Sequence, residues 1–268
     1  MLNKKYTLDD LVEIIKRLRG EGGCPWDMVQ THESLREAML EEAYEAVDAI
    51  ERKDTENLQE ELGDVLLQVV FHAQLEAEEG TFTIEDVIEG VCKKMVYRHP
   101  HVFGDTKVNS ADEVLVNWEQ LKKKEKLITT QSQAMKQVPM ALPALLNAKK
   151  VQKKAAEVGF DFPDVQGAME KVREEIAELT EAIEQGMETK EEEFGDILFA
   201  VVNISRFLKI NPEIALTKAT KKFINRFEYV ENSALSEGRS LSEMTLEEMD
   251  LLWDEAKAKS LSDRNPNN

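Results

Sequence analysis

Ten acidic residues carry the clearest chemistry in this chain, and they form two copies of one pattern. Glu41, Glu42 and Glu45 are followed by Glu61 and Asp64; Glu174, Glu175 and Glu178 are followed by Glu193 and Asp196. On a helix, residues three and four apart share a face. Glu175 therefore pairs with Glu178, Glu193 pairs with Asp196, and Glu174 stands about a quarter-turn from the first pair. If the two helices run antiparallel through a short turn near Gly186, the carboxylates converge. Glu42, Glu45, Glu61 and Asp64 can converge in the same way. Carboxylates this close repel strongly unless cations or protons intervene. An all-oxygen donor set is hard and suits Mg²⁺, with Mn²⁺ as a substitute. A di-iron bundle calls for Glu-x-x-His, and no histidine here has a glutamate three positions before it. Zinc is disfavoured because neither cluster holds Cys or His.

Mg²⁺ held by protein carboxylates usually completes its shell with water and substrate phosphates. The chain has a net charge of −19, so an anionic ligand needs such a bridge. Cationic side chains recur at matched places, Lys94, Arg98 and Lys122 in the first half and Lys222, Arg226 and Lys257 in the second. They could contact the remaining phosphate oxygens. Trp118 and Trp253, each one turn before a lysine, could pack on a base or ribose, or could be plain core residues. Among 53 acidic residues, one Glu-Glu-x-x-Glu would read as a solvated helix face; two copies in matching frames argue against that. His72 and His99 read as structural. Gly63 and Gly195, each just before the aspartate, read as sites of close helix packing, since no glycine-rich loop surrounds them.

The elements that position these residues are also duplicated. EELGDVLLQVV (60–70) matches EEFGDILFAVV (192–202), KKMVYRHPHV (93–102) matches KKFINRFEYV (221–230), WEQLK (118–122) matches WDEAK (253–257), and PWD (25–27) matches GFD (159–161). Glu174 follows Glu41 by 133 residues and Glu193 follows Glu61 by 132. A period this long means a duplicated domain, not a solenoid repeat. The expected division is a first domain over 1–125, a polar, proline-punctuated linker over 126–140, and a second domain over 141–268.

Both halves read as all-α, with about five helices each. Leu35, Met39, Ala43, Ala46 and Ile50 keep a helical spacing, as do Ile197, Ala200, Val201, Ile204 and Leu208. Ser110–Glu113 and Thr245–Glu248 have capping-box spacing, Asn211-Pro212 reads as a cap with a first-turn proline, and Gly80 and Gly186 mark helix ends. The β-branched runs at 65–70 and 197–202 continue the acidic helical pattern without turn signals, so they read as buried helix.

At 268 residues the chain can hold two domains with their own cores. Its acidity excludes a general nucleic-acid binder. Cys24 and Cys92 stand in no ligand spacing and read as reduced thiols. No apolar run approaches 18 residues and the N-terminus has no apolar leader core, so neither a membrane span nor a signal peptide is expected, and the expected compartment is the cytoplasm.

Over nearly its whole length the chain resembles the MazG-type nucleoside triphosphate pyrophosphohydrolases in their tandem form. The segments that carry the resemblance are GCPWDMVQTHESL, EEAYEAVDAI, EELGDVLLQVVFHAQ and RHPHVFGD in the first half. In the second they are LPALLNAKKVQKKAAEVGFDF, EEIAEL, EEFGDILFAVVN, KKFINRF and LWDEAK. The resemblance implies an all-α fold whose four-helix-bundle sites are completed by dimerisation, and Mg²⁺-dependent cleavage of a nucleoside triphosphate to monophosphate and pyrophosphate. It implies metal ligands at Glu175, Glu178, Glu193 and Asp196, with Glu42, Glu45, Glu61 and Asp64 as a second site. Nucleotide contacts are expected from Lys171, Glu174, Glu175, Lys190, Glu192, Asp196, Asn203, Lys222, Arg226, Trp253 and Lys257. Glu174, beside the ligand pair, is the expected group to orient or deprotonate the attacking water. The second half is the better candidate for turnover: Lys171 is matched by Ala38 and Asn203 by Phe71. Phe162 stands where the family often has tryptophan.

The expected role is cleaning or control of the nucleotide pool by a homodimer, with a regulatory protein partner as a further expectation. Two other readings stay open at this point. One is the same bundle with narrow specificity, for a deoxynucleoside triphosphate or phosphoribosyl-ATP. The other is a non-catalytic acidic helical adaptor. Dimerisation follows from the resemblance and the need to complete a bundle, not from an interface stripe visible in the sequence.

Overall fold

The computed structural model describes residues 5–125 and 127–262. Among them are thirteen α-helices, a short 3₁₀ turn and no strand. The chain divides into two compact units between Lys122 and Lys123. In order, the helices are α1 Leu8–Arg19, α2 Pro25–Met28, α3 His32–Arg52, α4 Thr55–Glu79, α5 Ile84–Arg98, α6 Pro100–Phe103 and α7 Ala111–Glu125. They continue as α8 Gln131–Lys136, α9 Ala144–Ala156, α10 Val165–Glu184, α11 Lys190–Phe207, α12 Pro212–Ser236 and α13 Leu246–Ser262. Each half thus has five helices of twelve residues or more. The short α2, α6 and α8 are additions, and α8 falls inside the stretch expected to be a linker.

The duplication is structural as well as sequential. In the first unit α3 and α1 pack on α4; in the second their counterparts α10 and α9 pack on α11, while the later helices differ, α5 packing on α4 and α12 on α13 and α9. Local chemistry sets most boundaries. Thr245 caps α13 through a full box, its backbone N–H donating to Glu248 Oε2 at 2.8 Å and its hydroxyl accepting from Glu248 N at 3.3 Å. Asn211 Oδ1 accepts from the N–H groups of Glu213 and Ile214 ahead of α12. At α7 only half of the expected box forms: Ser110 Oγ accepts from Glu113 N, but the Glu113 carboxylate reaches back to Asn109 N. Gly80 and Gly186 end α4 and α10 at φ 71° and 67°, a left-handed conformation that glycine adopts without a Cβ penalty.

The runs at 65–70 and 197–202 are helical, within α4 and α11, but only in part buried. Val70 and Val202 are fully buried, while Leu66, Leu198 and Val201 are 41%, 45% and 47% exposed. Gly63 and Gly195 correct the packing expectation: a Cβ at either would meet nothing within 4 Å. The reason is common to both. These residues lie on outer faces of α4 and α11 that nothing in their own unit covers. The first unit's core joins Ile15, Leu35, Val70, Phe71, Leu75 and Ile84. The second unit's buried hydrophobic residues are mostly alanines, including Ala168, Ala182, Ala200, Ala234 and Ala256, which remove little apolar area each. Among the described residues no helix is long and apolar enough to cross a membrane.

Candidate active site

The second carboxylate cluster is assembled by a helical hairpin. α10 is opened by Asp164, whose carboxylate accepts from Gly167 N at 3.0 Å, and it returns as α11 through the turn at 185–189. Glu175 on α10 meets Glu193 and Asp196 on α11, with one carboxylate oxygen from each lying within 4.8 Å of the others. Oxygens that share an ion at 2.0–2.1 Å stand about 3–4 Å apart, so small side-chain rotations would close this set on one divalent cation. Glu175 is buried, Glu193 half-buried and Asp196 exposed. That gradient leaves the Asp196 side open for water or a ligand. Glu178, one turn along, is outside this triplet but in contact with it; burial first, then the Glu175 charge, push its carboxyl above the usual range.

Lys171 stands where a cation is needed. Its ammonium is 2.7 Å from Glu174 Oε1 and 2.7 Å from Glu175 Oε1. Glu174 first, then Glu175, hold it protonated well above the ordinary lysine range. Glu174 is thereby fixed beside the ligand set, one residue from Glu175.

In the first half Glu42, Glu45 and Glu61 converge in the same way, within 4.8 Å. Asp64 lies outside that triplet but within electrostatic reach. Burial, then Asp64 and Glu45, raise the Glu42 carboxyl; burial, then Glu61 and Glu41, raise that of Glu45. No lysine is available from the position of Lys171, where Ala38 stands.

A pocket of about 660 Å³ opens beside the second cluster, within the range of small-molecule sites. Its wall includes Lys171, Glu175, Asp196 and Asn203, and therefore brings together four of the residues expected from sequence. Phe160, Phe162 and Phe199 supply aromatic surface, Met135 comes from α8, and Gln152 comes from α9. Arg206 braces this wall. It donates to Asn203 Oδ1 at 3.1 Å, to the Gln152 carbonyl at 3.3 Å and to Asp161 Oδ1 at 2.5 Å, tying α11 to α9 and to the loop at 159–162. Gly159 turns that loop at φ 83°. The phenylalanines, Gln152, Met135 and Arg206 were missed as site residues. The sequence signals near them were the match of GFD to PWD and the family-like segments around Gln152, Phe162 and Phe199.

The corresponding place in the first half is filled differently. Arg19 lies 133 residues before Gln152, and Phe71 lies 132 before Asn203. The Arg19 guanidinium sits 5.2 Å from the Phe71 ring centre. It donates to the carbonyls of Asp27 and Gln30 and, through two bonds of 2.7–2.8 Å, to Glu78. A buried charged strut thus stands where the second half has two amides and open volume.

The remaining expected contacts lie elsewhere in the second unit. Lys190 and Glu192 are in the first turn of α11. Lys222 and Arg226 are on α12, and Trp253 and Lys257 are on α13; none of them is in the pocket wall. Arg226 lies 5.7 Å from the Trp253 ring centre, and Arg98 lies 5.5 Å from that of Trp118, so the cation–π pair is part of the duplication. Trp253 also packs on Phe223 at 5.0 Å. Lys257 pairs with Asp254 at 2.7 Å. Arg226 Nε is buried without a hydrogen-bond partner among the described residues.

Comparison with known proteins agrees with the duplicated site. The model of the MazG nucleotide pyrophosphohydrolase domain matches twice, over residues 30–103 and 156–231. The nucleoside triphosphate pyrophosphohydrolase/pyrophosphatase MazG of Thermotoga maritima is 47% identical over 93% of this chain and 95% of its own length. The nucleoside triphosphate pyrophosphohydrolase of Escherichia coli K12 is 43% identical over 95% and 98%. The uncharacterized protein YabN of Bacillus subtilis is 54% identical over 91% of this chain, which spans half of that longer protein. Both matched regions bracket a carboxylate triplet, and the chain belongs to the MazG nucleotide pyrophosphohydrolase family.

Proposed function

We propose that the protein hydrolyses nucleoside triphosphates, ribo or deoxy, to the monophosphate and pyrophosphate, and that the second half performs the reaction. The carrying observation is the adjacency of the triplet Glu175, Glu193 and Asp196 to a pocket with aromatic and amide walls. Glu175, Glu193 and Asp196, with Glu178 beside them, would hold Mg²⁺ or Mn²⁺. Bound there, the ion would neutralise phosphate charge and lower the pKa of a water. The pocket would take the nucleoside, so that the α-phosphate faces the carboxylates. Glu174 would orient the attacking water or take its proton, with Lys171 released toward the phosphates. Lys222, Arg226, Trp253 and Lys257 would receive the rest of the triphosphate or nucleoside.

Dimerisation belongs to the same reading. Phe194, Leu198 and Val201 are 55%, 45% and 47% exposed and spaced as one stripe of α11. Leu62 and Leu66 repeat the first two positions on α4, at 54% and 41%. Such faces on paired helices suit completion of a four-helix bundle by a second copy. The product class fits a role in clearing or limiting the nucleotide pool of the cytoplasm.

The test is hydrolysis of ATP or dTTP in ¹⁸O-labelled water with Mg²⁺. Label in the monophosphate is expected. Label in pyrophosphate or free phosphate would exclude attack at the α-phosphorus, and no release from any nucleotide would favour an adaptor.

A further inference from the structure

Two side-chain amides in the pocket wall have their polarity fixed by neighbours. Gln152 is 6% exposed, and its Nε2 donates to the Phe199 carbonyl at 2.7 Å. Only Oε1 is left, and it is buried without a hydrogen-bond partner among the described residues. Asn203 is fixed in the opposite sense: its Oδ1 accepts from Arg206 Nε, which leaves Nδ2 as a donor. An orphaned buried acceptor is unfavourable, so this one is poised for an N–H that the chain itself does not supply.

We infer that Gln152 Oε1 and Asn203 Nδ2 read the pairing edge of the nucleobase, Gln152 accepting an N–H and Asn203 donating to the neighbouring acceptor. The inference rests on the proposed function, because it places the nucleoside in this pocket. With the phosphates at the carboxylates, the edge farthest from the sugar enters deepest. Every natural base carries an N–H beside an acceptor on that edge: the 6-amino group and N1 of adenine, the 4-amino group and N3 of cytosine, N1–H and O6 of guanine, N3–H and O4 of uracil or thymine. Adenine and cytosine present the two in one order along that edge, and guanine, uracil and thymine in the reverse order, so one acceptor and one donor of fixed sense admit one of these classes and select against the other and against bases that lack the N–H. In the first half Phe71 stands at the position of Asn203 with Arg19 packed against it, so no such pair is offered there.

The experiment compares pyrophosphate release from ATP and UTP, one of each order, with release from purine riboside triphosphate and N3-methyluridine triphosphate, which lack the edge N–H. For the wild type, kcat/KM is expected to differ about tenfold or more between ATP and UTP, and to be about tenfold or more lower for the analogue of the preferred one, mainly through KM. In Gln152→Met, which keeps the volume and removes the acceptor, the gap should shrink below about twofold while the Mg²⁺ activation curve stays unchanged. Equal kcat/KM for natural and analogue substrates in the wild type would overturn the inference and leave the pyrophosphohydrolase reading standing; this comparison needs no variant to fold. A gap that persists in Gln152→Met would overturn the role of that residue. No release from any natural triphosphate would overturn the functional reading and the inference with it.

Discussion

Glu193 and Glu61 occupy equivalent places, yet their halves differ at Lys171, at Asn203 and in the pocket. The second half has Lys171, Asn203 and an open pocket, where the first has Ala38, Phe71 and the Arg19 strut. Glu193→Ala is expected to lower pyrophosphate release by about 100-fold or more, and Glu61→Ala by less than about fivefold. Equal losses in a steady-state assay would mean that both clusters turn over or that the first supports the second. At this scale the carboxylates were legible because their partners lie three or four residues away on one helix, or on the next helix across a short turn. Gln152 and Arg206 were not legible, since a glutamine in a lysine-rich helix looks like any solvated residue. Only the fold shows that its amide is 94% buried against the carbonyl of Phe199, 47 positions on.

The long helices were readable from periodicity and caps, and the lengths of α4 and α11 show that an acidic start followed by a β-branched run is one element. The short helices were not readable, because six residues carry too little pattern to outweigh a polar, proline-flanked context. What orders α8 is tertiary. Glu157, just past the end of α9, accepts from Lys154 at 2.6 Å, from Lys123 at 2.8 Å and from Gln131 at 3.2 Å. Burial pushes its carboxyl up, but these donors outweigh it and hold the pKa down at about 2. A carboxyl depressed in the folded state stabilises above its unfolded value, about 4.5, and the gain is lost as pH falls toward about 2. Glu157→Gln is therefore expected to destabilise the chain at pH 7 by about 1 kcal/mol after screening by solvent. The gap in melting temperature from the wild type should narrow as pH is taken from 5 to 3, about the range of the shift. A gap independent of pH would assign the loss to packing instead of charge.

For the whole molecule, duplication was visible in the sequence as a steady offset, and the all-α class followed from patterning. The uncovered stripes were not visible, because a helix that is apolar on two faces looks simply buried until one face is seen without a neighbour. If the stripe of α11 joins two copies, Leu198→Glu should shift the protein from dimer to monomer in sedimentation equilibrium. Pyrophosphate release should fall with it, while helical content stays intact, because Leu198 supports little of its own unit at 45% exposure. A fully active dimer carrying that substitution would remove the stripe from this role.

Met135 on α8 has a bearing on how the two halves can be separated. It sits in the wall of the pocket, yet it precedes the first helix that has a counterpart in the other half. The segment joining the copies thus forms part of the pocket wall of one of them. A chain cut at residue 141, where the sequence pattern suggests a clean break, would keep every carboxylate and lose a wall. A chain begun at Lys123 would keep the wall together with the Glu157 clamp that seats it. The repeat visible in the sequence is smaller than the unit that closes the pocket.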